Sequence, residues 1–209
     1  MRVIFIRHGE TDWNATLKYQ GHAAIPLNER GRTQATTAAA RLLRYEAVAL
    51  YTSDILRAAQ TADLIGTTLN LKPTTLTDLR EIDVGQWEGL TPEELYRRYP
   101  DHMREYERDP ARTVRLGGES YAQLQERSLR ALQTIQAAHR SDETILAVSH
   151  GGTIRALLCH VIGLDLAHFG RMWLDNGSFT ELRHRSNSWR LVRLNDTAHL
   201  EGTAFASGE

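Results

Sequence analysis

Two strings in the chain put a histidine where an apolar run ends: FIRHG at His8 and LAVSHGG at His150. In an open α/β sheet, ligands bind at the carboxyl ends of strands, so the two imidazoles can face each other across one site. One such histidine alone reads as a hydrogen-bonded core group. Two in matching contexts, the first beside Arg7, read as chemistry. Arg57 lies just inside the helical string SDILRAAQTA. Alone it would be an exposed helix residue; with Arg7 it offers two planar forks that each bind a pair of phosphate oxygens. Asn14 follows the first histidine by six residues and Gln20-Gly21 by twelve and thirteen. The helix after His150 presents free N–H groups, beginning with Gly151, to an anion. These residue types together describe a phosphate pocket.

Phosphate-ester chemistry also needs an acid. LREIDVGQWEGL offers Glu81, Asp83 and Glu88. A carboxyl close to a phosphate dianion tends to keep its proton, as a general acid must. Period-two alternation puts Glu81 and Asp83 on one side of an extended segment, so orientation does not choose between them. Reach favours Glu81, and Asp83 sits nearer the Gly85 turn, where capping is its plainer role. Trp87 reads as packing.

These residues need elements to hold them. Val3–Ile6, Ala47–Tyr51 and Thr144–Val148 read as buried strands. Arg30–Tyr45, the TSDILRAAQTADLIGTTL string, Glu119–His139 and SHGGTIRALLCHVIG read as helices. Thr91-Pro92-Glu93-Glu94 carries a capping box with proline in the first turn. FTELRHR and WRLVRLN read as late antiparallel strands joined through Ser186-Asn187-Ser188. The alternation predicts a three-layer α/β/α sandwich: a mostly parallel central sheet with helices on both faces. The chain is read as a single domain, 1–209, with a short helical cap insertion at about 90–116.

The bulk numbers narrow the partners. The chain has 209 residues, 25 basic and 26 acidic, with a formal net charge of -1. That balance gives no general attraction to nucleic acid or membrane surfaces. One cysteine, Cys159, leaves no internal disulfide and no multi-cysteine zinc site. The nine histidines include no HExxH pair. No apolar run is long enough to span a membrane, and no signal-peptide core precedes the first strand. The expectation is a cytoplasmic protein that needs no metal or cofactor, takes a small phosphomonoester, and is compatible with a homodimer.

RHGETDWN, SDILRAAQTA, REIDVGQWEG and VSHGG, in this order and spacing, resemble the histidine phosphatase superfamily, also called phosphoglycerate-mutase-like, across roughly Arg2 to His199. The resemblance implies that His8 is the nucleophile, and that Arg7, Asn14, Arg57 and His150 form the phosphate pocket. It implies Glu81 as proton donor, Gly151 as backbone donor and Gln20 as a phosphate contact of the phosphatase branch. His8 would attack as a neutral imidazole with its other nitrogen bonded to a backbone carbonyl. Gly9 would leave room for a turn close to the phosphate.

The same pocket can transfer phosphate between hydroxyls, as in the cofactor-dependent mutases. Those carry an Arg-Arg pair in the cap; here Arg108 stands alone near the matching place, and Arg97-Arg98 reads as a solvated face. Hydrolysis is therefore favoured over phosphoglycerate mutase activity. A non-catalytic domain that binds phosphorylated partners is the alternative of another class, and an intact His8 and Glu81 count against it. The tail LNDTAHLEG is similar to metal-independent phosphoserine phosphatases of this superfamily, which makes His199 a candidate substrate contact. Trp173 and Phe179 read as core packing before cap lining.

Overall fold

The computed structural model describes residues 1–201. The last residue of the LNDTAHLEG tail, Gly202, lies outside them. The strands are β1 (Arg2–Arg7), β2 (Ala49–Thr52), β3 (Pro73–Thr75), β4 (Thr144–Ser149), β5 (Phe179–Arg185) and β6 (Ser188–Asp196). They form one sheet in the order β3-β2-β4-β1-β5-β6. β1, β2, β3 and β4 run parallel; β5 adds antiparallel to β1, and β6 antiparallel to β5. Ser186 and Asn187, at φ 51° and 59°, make the two-residue turn between β5 and β6.

Period-two alternation builds the two faces. Val3, Phe5, Ile145 and Ala147 point to one side, under α6 (Tyr121–Ala138) and α7 (Gly151–Ile162). Ile4, Ile6, Leu146 and Val148 point to the other, under α2 (Glu29–Leu42) and α3 (Leu56–Leu69). α2 and α3 present Ala38, Ala39, Ala58 and Ala62, small residues that bring the helices close to the strands.

Between β3 and α6 lie α4 (Pro92–Arg98) and α5 (Pro100–Arg108). Thr91 caps α4 with the reciprocal Thr91–Glu94 bonds of a capping box, and proline occupies the first turn. Leu95 and Met103 are buried, and Trp87 is wholly buried beneath them, with the Tyr106 ring 5.1 Å away edge-on. Arg97, Arg98 and Arg108 are exposed. Two elements were not apparent in sequence: α1 (Asp12–Ala15) and β3, four and three residues long. Both are too short to show a period. α3 begins at Leu56, so the Thr52-Ser53-Asp54 start of the TSDILRAAQTADLIGTTL string lies before the helix.

No helix among the described residues is long and apolar enough to cross a membrane. The described residues also contain no group of three or more His, Cys, Asp or Glu placed to hold a metal ion.

Candidate active site

β1 and β4 are adjacent and in register, Arg7 opposite Ser149, so both His-Gly junctions emerge side by side. His8 is clamped through its backbone: its N–H donates to Ser149 O at 3.0 Å and its carbonyl accepts from Asn176 Nδ2 at 3.0 Å. The His8 and His150 ring centroids are 5.1 Å apart.

The His8 side chain is 2% exposed. Its Nδ1 lies 2.7 Å from the Gly9 carbonyl, which can only accept, so Nδ1 carries the proton. Nε2 lies 3.1 Å from Arg57 Nε–H and accepts from it. Burial, then Arg57 and Arg7, hold the imidazole pKa well below 6.5 despite the Gly9 bond. The result is a neutral ring with its lone pair on Nε2.

Arg57 is held by carbonyls: Nη1 donates to Ala23 O at 3.2 Å and Nη2 to Gly21 O at 2.9 Å. Arg7 Nη1 donates to Leu174 O, and its buried Nε has no protein partner. Burial lowers both guanidinium pKa values to about 10; the neighbouring Arg155 also lowers that of Arg7, and Glu81 opposes the change at both. His150 is fully buried behind His8. Its Nε2 is 2.9 Å from Ser53 Oγ, and its Nδ1 has no partner. Burial, then Arg57 and His8, push its pKa well below 6.5.

The three rival carboxylates separate by partner. Glu81 Oε2 accepts from Gly152 N at 3.1 Å and Oε1 from Ile82 N at 2.9 Å, and the side chain lines the cavity. Asp83 caps the turn at Gly85 N, 2.9 Å, and Glu88 accepts from Ala23 N at 2.7 Å. A Cβ at Gly152 would lie 2.3 Å from Glu81 Oε1, so any larger residue there would push the carboxylate aside. The loop carrying Glu81 is splinted by Arg127. This guanidinium donates to the carbonyls of Asp78, Arg80 and Glu81 and makes a paired contact with Glu119.

Arg7, His8, Asn14, Gln20, Gly21, Arg57 and Glu81 all line one cavity of about 560 Å³. Its mouth carries Leu17 and Trp173, 75% and 74% exposed. A depression of about 760 Å³ at the opposite end of the sheet, around Met1 and Arg2, is larger but brings no nucleophile and acid together.

Several residues escaped sequence reasoning. The Thr11 hydroxyl is 3.0 Å from both Asn14 Oδ1 and Gln20 Oε1 and so fixes which way the two amides face. Asn176 also reaches Asn14 Oδ1, at 3.3 Å. Arg115, Tyr106, Tyr121 and Arg155 complete the wall beyond Glu81. The ETDWN context hinted at Thr11 as a helix cap; the others depend on long-range folding.

Two expectations need correction. His199 does not line the cavity: its ring stacks on Phe179 at 4.2 Å and its Nε2 meets Gly177 O at 3.1 Å. Trp173 is not core; its indole N–H donates to Asp175 at the cavity mouth. Gly9 is also constrained by the backbone of Gly31, whose carbonyl oxygen would lie 2.3 Å from a Cβ, and the carbonyl of Gly21 accepts from Arg57 Nη2.

The family model of the histidine phosphatase superfamily (branch 1) matches residues 3–197. Phosphoserine phosphatase 1 of Hydrogenobacter thermophilus is 32% identical over 200 residues, covering 96% of this chain and 94% of its own. A metal-independent phosphoserine phosphatase of Arabidopsis thaliana is 34% identical over 206 residues, 97% of this chain and 84% of its own. Among solved structures, the mycobacterial glucosyl-3-phosphoglycerate phosphatase complexed with VO3 superposes with a TM-score of 0.85 at 32% identity, covering 94% of this chain and 99% of that one. The chain belongs to the histidine phosphatase superfamily. It is a phosphatase of the phosphomonoester class.

Proposed function

We propose that the protein hydrolyses small phosphorylated metabolites without a metal, in two steps through a phosphohistidine on His8. The carrying observation is the neutral His8 ring, proton on Nδ1 toward Gly9 O and lone pair on Nε2, buried among two arginines with no carboxylate ion pair. In the free protein that lone pair is occupied by Arg57 Nε–H. An incoming phosphoryl group takes the donor onto an oxygen and frees Nε2 for attack. The N–P bond forms as the ester P–O bond breaks, and Glu81 delivers a proton to the leaving alkoxide. Water then attacks phosphorus, Glu81 takes its proton, and phosphate leaves with His8 restored.

Arg7 Nε and His150 Nδ1, two buried nitrogens with no partner among the described residues, hold equatorial oxygens as charge spreads over them. Asn14, Gln20 and the Gly151 N–H add neutral donors. These groups fill the place that a metal ion takes in other phosphoryl-transfer sites.

Hydrolysis is favoured over transfer by the mouth of the site. Neither Arg108 nor the Arg97–Arg98 pair lines the cavity, and its rim is exposed to water. The test is turnover of p-nitrophenyl phosphate after exhaustive EDTA treatment, alongside 3-phosphoglycerate with a bisphosphoglycerate primer. The reading expects full activity in chelator and free phosphate as product. Loss that added metal restores, or efficient formation of 2-phosphoglycerate, overturns it. Stoichiometric binding of an ester without turnover would instead identify a non-catalytic binding domain.

A further inference from the structure

The end of the sheet where β1 and β4 begin carries a row of like charges. Arg2 on β1 stands opposite Arg183 on β5, and Arg183 stands opposite Arg190 on β6. Partners in register point to the same face, so three guanidinium side chains stand side by side across three neighbouring strands. Arg185, two residues beyond Arg183 on β5, shares that face. Like charges placed directly opposite one another destabilise a sheet.

The carboxylates nearby do not balance the row. Glu181, 2% exposed, is divided among three arginines: its Oε1 is 3.1 Å from Arg2 Nε and 2.6 Å from Arg183 Nε, and its Oε2 is 3.8 Å from Arg193 Nε. The side chains of Arg185 and Arg190 are exposed and make no ion pair or hydrogen bond among the described residues. Arg2, Arg183, Arg185 and Arg190 all line the depression of about 760 Å³ at this end of the sheet. Asp142, the one carboxylate among its described lining residues, is paired with Arg140 at 3.4 Å. The whole chain has a formal net charge of -1, so this excess of positive charge is local.

Spacing sets the kind of anion. Neighbouring strands lie about 4.8 Å apart, so the row from Arg2 to Arg190 spans about 10 Å. One phosphoryl group can take the forks of two adjacent arginines, and a chain of two or three can take the whole row. The depression is separate from the phosphate pocket: along β1, Arg2 and Arg7 are about 17 Å apart. We propose that it binds a small anion carrying two or three linked phosphoryl groups, gripped by Arg183 and Arg190 and flanked by Arg2 and Arg185. Such a ligand puts negative charge between cross-strand arginines that otherwise repel. The proposal does not depend on the hydrolase reading.

The test compares wild type with the Arg185→Gln/Arg190→Gln double variant, by calorimetric titration with inorganic tripolyphosphate at physiological ionic strength. Both substitutions lie far from His8, so turnover of p-nitrophenyl phosphate should be the same in the two proteins. Any tripolyphosphate bound in the catalytic pocket is then common to both and cancels. The variant is expected to lose one binding event, or to bind at that site about 10- to 100-fold more weakly, as loss of charge-assisted hydrogen bonds implies. Tripolyphosphate should also raise the Tm of wild type more than that of the variant. Orthophosphate should bind this site much more weakly than tripolyphosphate. Identical titrations and Tm shifts for the two proteins overturn the proposal and leave the arginines as guards of the β6 sheet edge. Equal affinity for orthophosphate and tripolyphosphate at the site overturns the assignment to linked phosphoryl groups.

Discussion

The two ends of the cavity are built differently. The phosphate end stands on β1 and β4, neighbouring central strands of the sheet, and its His8, Gln20, Arg57 and His150 are buried. His8 is locked by backbone bonds on both sides, and Arg57 by two carbonyls. The leaving-group end is assembled from separated pieces: Leu17 after α1, Arg115 before α6, Arg155 on α7, and Trp173 in a connection beyond it. Rigid strand ends suit a reaction whose geometry is the same for every ester. Loops and helix faces suit the part of the substrate that varies.

This contrast predicts which substitutions hit all substrates and which discriminate. The largest effect belongs to the rigid end. His8→Ala should abolish turnover of every ester while leaving the fold intact by circular dichroism. Acid quenching of wild type during turnover should trap an acid-labile phosphate on His8, and finding it on another residue would end the phosphohistidine mechanism.

At the junction of the two ends, effects should depend on the leaving group. Glu81→Gln should cut kcat by about 10²–10⁴ for alkyl phosphates and much less for p-nitrophenyl phosphate, whose phenolate leaves unaided. Gly152→Ala should reproduce the same dependence at smaller size, because the new Cβ meets Glu81 Oε1. Equal losses on both esters would show that Glu81 is not the acid.

The smallest effect is on stability. His8 and His150 have pKa values well below 6.5, and burial lowers that of His199 to about 4. Between those folded values and 6.5 the unfolded chain binds more protons than the folded one. Stability therefore falls as pH drops below 6.5, by up to about 1.4 kcal/mol per pH unit for each fully shifted histidine. Thermal unfolding from pH 7.5 to 5 should show a declining Tm, and His199→Asn should flatten part of the decline. A Tm that rises toward pH 5 would contradict buried neutral imidazoles.

Much of the phosphate end was legible without coordinates. A strand buried on both faces is a run of apolar residues, and the residue after it stands at the sheet's carboxyl edge. FIRHG and LAVSHGG thus announced both histidines, and the Thr91 capping box announced α4. Asp83 could be set against Glu81 by reach, and the choice of Glu81 rested also on the family resemblance; Asp83 and Glu88 are engaged by Gly85 N and Ala23 N.

Tertiary structure alone decided the strand order, which placed β4 beside β1 and the antiparallel pair β5 and β6 beyond it. Local alternation reports which face is buried, not which strand is next door. It also decided what the polar and aromatic residues outside the motifs do. Arg155 reads as one more charge on α7, and Arg115 as a loop arginine, until Trp87, Tyr106 and Tyr121 close around the latter. Trp173 and His199 went the other way, the first to the cavity mouth and the second onto Phe179. Side-chain chemistry is local, but burial and partnership come from residues distant in the chain. The sequence by itself therefore determined where the two strand-end histidines stand, and only folding decided what surrounds them in the cavity.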